Sequence, residues 1–282
     1  MKAQVLNISV PYNGCDKHCP YCVSNMTGIP QKEPFALAIM LLKWRKVVKF
    51  AEKAGVESIL LSGKGEPLLN KDAVFTILNW FKDFPCELQT NGRFLNSNQD
   101  VVTKLRQEGL DIVAISVDTL AEIKSYTELI RNINANNMIT RVCLNVSSIL
   151  TKEINYLQKN TIEYWEYLAE HLNKVGVRQL LVRNITIPKN TVSTPLSDQT
   201  KEWVTNNTST NLFNSLYTAM RCKGRQIRKT IYNIPIFDYN GVSVLFSDYC
   251  IEENNEDIMR SLVFHEDGHV YTLWNSKASI LF

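Results

Sequence analysis

No stretch of this 282-residue sequence stays apolar for long: the longest unbroken run, Phe35 to Leu42, stops at Lys43. A membrane-spanning helix needs roughly 18 such residues, so no span is predicted. The start of the chain also lacks the basic stretch, apolar block and small-residue cleavage site of a leader. Val5, Leu6, Ile8 and Val10 alternate with polar residues instead, and the chain is read as cytoplasmic. Net charge is scarce as well. Thirty-one Lys and Arg against 28 Asp and Glu leave +3, too little to draw the chain to nucleic acid by charge alone. Nucleic acid is therefore not expected among the partners. Low-complexity tracts are missing, which sets aside disorder and collagen. The seven cysteines are odd in number, and three of them fall between positions 15 and 22. Without a secretion signal this is not the pattern of a disulfide framework. What remains is a chain of 45% hydrophobic and 21% charged residues, long enough to bury a sizeable core.

From the start to about residue 187, short β-branched runs alternate with stretches of helical period, the rhythm of strand-helix units around a parallel sheet. Six strands are predicted, at 4–11, 57–62, 86–91, 111–117, 139–147 and 178–185, with both faces of each expected to be covered. Between them a first helix opens near Pro34 and stops at Gly55, and a second is capped by Asn70. A third ends at Gly109, a fourth repeats Ile123, Tyr126, Ile130 and Ile133, and a fifth runs from Ile162 to Val175 before Gly176. Glycine after the last turn takes a left-handed conformation without steric cost. Beyond a soft boundary near 187–196 the rhythm changes. A helix is predicted near 209–222, strands at 230–238 and 241–247, and a hairpin, 261–265 and 269–274, turning on Glu266-Asp267-Gly268. The prediction is an α/β fold over residues 1–187 and a C-terminal α+β appendage over 188–282.

Cys15, Cys19 and Cys22 form C-x3-C-x2-C after the first strand, with no nearby fourth cysteine or histidine beyond Cys22. Structural zinc needs four ligands, so a zinc reading must borrow a distant one such as Cys86 or Cys250. Three thiolates on a four-iron cluster instead leave one iron free for an exogenous ligand. The spacing favours the cluster, and His18, inside the window, is read as facing solvent.

With Tyr21 before the last cysteine and six strand-helix units around it, this loop resembles that of the radical S-adenosylmethionine superfamily. The resemblance implies a partial (β/α)6 barrel, one 4Fe-4S cluster held by Cys15, Cys19 and Cys22, and S-adenosylmethionine chelated to the free iron. Cleavage of the sulfonium then gives a 5′-deoxyadenosyl radical that takes hydrogen from the substrate. Gly63-Lys64-Gly65-Glu66-Pro67 is similar to the family's Gly-Gly-Glu-Pro motif, with Lys64 replacing the first glycine. Gly65 would let the backbone approach the methionine ammonium, and Glu66 adds a charge of suitable sign. Thr90 and Asn91 before Gly92 resemble a Thr-Asn-Gly element. Polar residues at the C-terminal strand ends of a parallel barrel face the mouth where active sites sit. Ser116, Asp118, Asn145 and Arg183 are thereby implied as further cofactor contacts, Arg183 for a carboxylate. No residue is assigned to catalysis itself.

The implied partners are a reductant such as flavodoxin or ferredoxin and a small-molecule or peptide substrate, with activation of a glycyl-radical enzyme and a zinc-binding interaction module as alternatives. Cys86 and Cys143 read as small buried hydrophobes. In the C-terminal third Cys222 and Cys250, beside His265 and His269, are too few thiolates for a second cluster, and aromatic neighbours such as Tyr249, Tyr271 and Trp274 suit a substrate cover.

Overall fold

The computed structural model describes residues 2–208, 210–230, 233–248 and 258–282. Tyr249 and Cys250, singled out above, lie outside these. The strands are β1 Lys2–Ser9, β2 Ser58–Ser62, β3 Cys86–Thr90, β4 Ile112–Val117, β5 Ile139–Val146, β6 Gln179–Asn184, β7 Arg225–Lys229, β8 Pro235–Tyr239, β9 Val242–Ser247, β10 Ile258–Phe264 and β11 Val270–Tyr271. All share one sheet in the order β11-β10-β1-β2-β3-β4-β5-β6-β9-β8-β7. β1 to β6 run side by side and parallel. Consecutive parallel strands joined by right-handed crossovers place every connecting helix on the same side of the sheet. The fold is the predicted α/β architecture built on a parallel sheet.

Burial along the strands corrects one expectation. One face is fully covered: Leu6, Ile59, Leu88, Val113, Val142 and Val182 are at most 1% exposed; on the other, Asn7, Ala114, Cys143 and Asn145 are buried while Ser62, Gln89, Ser116, Arg141 and Arg183 remain partly open. The second face of the parallel sheet is therefore only partly covered, with polar residues open between buried ones. Across it Arg141 bonds to Glu87 and, at 2.8 Å, to Gln179.

The helices follow their apolar stripes with local exceptions. Asn70 does not cap the helix Lys71–Trp80; its amide reaches back to Pro11 O at 3.1 Å, and the preceding turn, Pro67–Asn70, is capped by Glu66. The predicted fourth helix is broken at Tyr126 into Leu120–Ser125 and Thr127–Ala135, and the Tyr126 hydroxyl donates to Asn91 O at 3.1 Å. Short helices at Arg93–Ser97 and Ser148–Tyr156 were not predicted; each is too brief to establish a helical period. The stops at Gly55, Gly109 and Gly176 all have positive φ.

After β6 come the helices Pro195–Asn207 and Thr210–Lys223, the former unforeseen in a polar stretch. Of the strand predicted at 230–238 the structure shows β8 from Pro235, with 231–232 outside the described residues, and β7, exposed throughout, had no apolar alternation to reveal it. The C-terminal third then rejoins the sheet at both ends of the β1 to β6 series: β9 pairs in parallel with β6, and β10 with β1. The predicted hairpin is present between β10 and β11, turning through Gly268 at φ +77°. No helix among the described residues is long and apolar enough to cross a membrane.

Candidate active site

The cysteine loop leaves the end of β1 and is folded by its own backbone. Cys22 N–H donates to Cys19 O at 3.1 Å, and Cys22 O accepts from Asn25 N at 3.1 Å to open the helix Val23–Thr27. Cys15 is exposed while Cys19 and Cys22 are half-buried. Burial pushes the Cys19 thiol up to about 11, with Lys17 opposing and Asp118 reinforcing the rise, so metal binding there must release a proton. His18 is exposed, as expected.

The Gly-Lys-Gly-Glu-Pro turn lies directly beneath this loop. Glu66 N–H donates to Gly14 O at 3.0 Å, and a Cβ on Gly65 would stand 2.2 Å from that same oxygen. Gly65 is thus required for the approach of two backbones. The Glu66 side chain, 3% exposed, accepts from Leu68 N at 3.1 Å, Thr90 Oγ1 at 2.8 Å and Asn91 N at 2.8 Å. Burial raises its carboxyl above the ordinary range while these three bonds pull it back. Asn91 continues the chain of contacts, its amide donating to Asp16 Oδ1 at 2.6 Å within the cysteine loop. Glu66 therefore ties the end of β3 to the turn that supports the cysteines.

A second knot joins the loop to β4 and β5. Asp118, 8% exposed, accepts from the Tyr21 hydroxyl and from Asn145 Nδ2 and pairs with Lys17 at 3.2 Å. Lys17 also meets Glu122 at 2.6 Å, and Asn145 reaches Ser116 Oγ at 3.2 Å. Asp118 is not the cap of the following helix; Thr119 is. The structure thus brings Tyr21, Glu66, Thr90, Asn91, Ser116, Asp118 and Asn145 into contact with the loop or with one another. Arg183 stands on the open face, in register with Asn145 and Ser247, and is not hydrogen-bonded to this knot. Sequence reasoning missed Asp16, Lys17 and Glu122, which have no motif of their own; their only signal was proximity to Cys15 and Asp118. Tyr21→Phe should remove one bond to the buried Asp118 and cost about 1–2 kcal/mol, seen as a lower urea midpoint. An unchanged midpoint would show that the hydroxyl contributes nothing.

The C-terminal third closes over the loop. Val192 N donates to Met26 O at 2.8 Å, and Trp203 meets the Tyr21 ring at 5.7 Å. On the other side Tyr12 N donates to Glu266 Oε2 at 3.0 Å, and Lys64 Nζ donates to Thr27 Oγ1 at 2.5 Å and Asn275 Oδ1 at 3.0 Å. Burial pushes the Lys64 ammonium down, opposed by the nearby Cys22 and Glu266. His265 packs edge-on against Tyr271 and Trp274. Cys222 lies apart, exposed on the helix Thr210–Lys223. Among the described residues no three Cys, His, Asp or Glu side chains converge on a single metal ion. Three thiols distributed along one loop suit separate corners of a multi-iron cluster, and the donor set fits such a group.

These features define a class of protein that holds a metal cluster at the C-terminal ends of a parallel sheet. The chain belongs to the Radical SAM superfamily, whose family model matches residues 9–195. That superfamily consists of enzymes that use a 4Fe-4S cluster and S-adenosylmethionine and require a reductant and a substrate. The chain is 32% identical over 167 residues to a GTP 3′,8-cyclase of Clostridium botulinum, covering 55% of this chain and 50% of that one. It is 29% identical over 112 residues to an uncharacterized protein of Methanocaldococcus jannaschii, covering 39% and 33%. It thus spans half or less of these relatives. Among solved structures, Streptococcus suis SuiB bound to S-adenosylmethionine superposes with a TM-score of 0.56 at 14% identity, over 96% of this chain and 60% of that one. SuiB bound to its precursor peptide SuiA superposes with a TM-score of 0.55 at 15% identity and the same coverage.

Proposed function

We propose that Cys15, Cys19 and Cys22 hold one 4Fe-4S cluster, that S-adenosylmethionine binds beside it, and that its reductive cleavage removes hydrogen from a small-molecule or peptide substrate. The observation that carries this reading is the three-thiol loop seated on the Glu66 turn at the mouth of an accessible sheet face. When bound, the cluster passes an electron from a reductant such as flavodoxin or ferredoxin to the sulfonium of S-adenosylmethionine.

The chain's own residues position and shield. Gly65 allows the turn to lie against the loop, and Glu66 with Asn91 fixes its height. Asp118 and Asn145 hold Tyr21 and the Cys19 side of the loop. Ser116 and Arg183, partly exposed on the open face, are offered to the cofactor, Arg183 as a two-pronged partner for a carboxylate. Residues 1–187 form the cofactor-binding part and 188–282 cover the substrate. The two named relatives act on or bind different things, a nucleotide and a peptide, which keeps both substrate classes in the proposal.

Protein purified without oxygen should contain about four irons with matching sulfide per chain. After reduction it should convert S-adenosylmethionine to methionine and 5′-deoxyadenosine. A colourless protein holding one zinc would overturn the reading in favour of a zinc-binding module.

A further inference from the structure

Lys64 stands where the family motif has glycine, a residue that can supply neither charge nor a side-chain bond. Here the side chain is half-buried and directed between the cysteine loop and the C-terminal segment. Its two hydrogen-bond partners, the Thr27 hydroxyl and the Asn275 amide oxygen, are neutral. They fix the ammonium without cancelling its charge. Thr27 belongs to the short helix that begins immediately after Cys22, and Lys64 lies within electrostatic reach of that cysteine. Glu266, a carboxylate that acts on it, is turned toward Tyr12 N. A fixed positive charge in a partly desolvated position acts on its neighbours more strongly than one in water. The reduction potential of an iron-sulfur cluster responds to nearby charge and to solvent exposure.

Resting on the cluster reading above, we propose that Lys64 is a positioning residue that sets the cluster's redox level: its ammonium, held by Thr27 and Asn275 beside Cys22, favours the one-electron-reduced state. Reduction adds one negative charge to the thiolate-ligated cluster, [4Fe-4S]2+ plus one electron giving [4Fe-4S]+. The ammonium stabilises that product more than the oxidised form.

The test is a redox titration of the reconstituted, oxygen-free full chain with dithionite and mediators, followed by the electron paramagnetic resonance signal of the reduced cluster. Lys64→Gln keeps polar reach but loses the charge, and Lys64→Arg keeps the charge. The glutamine variant should hold the same iron yet shift its reduction equilibrium about tenfold toward the oxidised form, about 59 mV for one electron. The arginine variant should stay close to the parent. Asn275→Asp places a carboxylate against the intact ammonium and should shift the equilibrium in the same direction as Lys64→Gln, which keeps the proposal testable if that variant loses its cluster. A Lys64→Gln or Asn275→Asp potential within twofold of the parent's equilibrium overturns it. So does an arginine variant displaced as far as the glutamine one, since shape and not charge would then be responsible. Absence of iron in the parent protein would instead refute the cluster reading, and this proposal with it.

Discussion

Cys19→Ala should yield a colourless, folded protein that does not cleave S-adenosylmethionine. The same holds for Cys15→Ala and Cys22→Ala, because each thiolate supplies one of only three protein bonds to the cluster. Folding should survive these changes: Cys15 is exposed and the other two are half-buried, so little apolar burial is lost. Cys143→Ala and Cys86→Ala give the opposite result. Both are at most 2% exposed among strand residues, and losing a buried sulfur should cost about 1–2 kcal/mol of packing while the cluster persists. Visible absorbance, iron content and urea midpoint separate the two sets. A Cys19→Ala protein with full iron and full cleavage would end the cluster assignment.

Glu66→Ala should have the second-largest effect, and on two measurements together. The substitution leaves the Thr90 hydroxyl, the Asn91 N–H and the Leu68 N–H without their acceptor in a buried setting. Each orphaned donor costs on the order of 1–3 kcal/mol. A loss of about 3 kcal/mol or more in unfolding free energy follows, along with weakened S-adenosylmethionine binding as β3 slips from the cysteine loop. Glu66→Gln should fall between, since an amide keeps one acceptor oxygen but turns N–H groups toward a remaining donor. Thr90→Val, which removes both the bond to Glu66 and the one accepted from Gly92 N, should cost about 1–3 kcal/mol. Calorimetric cofactor titration beside denaturation distinguishes a tether from a direct contact. Normal stability with lost binding would leave the tether without energetic weight.

The parts legible in the sequence are those with a local signature. β2 to β6 carried alternating or apolar runs bounded by turn residues, and the cysteine loop announced itself by spacing. Cover on the second face is only partial, and Gln89, Ser116 and Arg183 mark the gaps as interruptions of the apolar strand runs. The pairing of β10 with β1 left no local trace, since partner choice over a separation of this size is made by the assembled sheet. Glu66 was found, but its work as an acceptor for β3 depends on Thr90 and Asn91 arriving from 24 and 25 residues away. Lys17 and Glu122 form their pair across 105 residues and were invisible for the same reason.

The position of β1 in the sheet also has a temporal side. Lys2 aligns with Ile258 and Ile8 with Phe264, so β1 waits for a strand that is synthesised well after β2 to β6. Such distant pairings are slow to form and come late in folding. Until β10 docks, Glu266 cannot reach Tyr12 and Asn275 cannot reach Lys64, while β2 to β6 can already assemble around the cysteine loop. Synthesis itself thus leaves an interval in which the thiol loop is more open than in the finished fold.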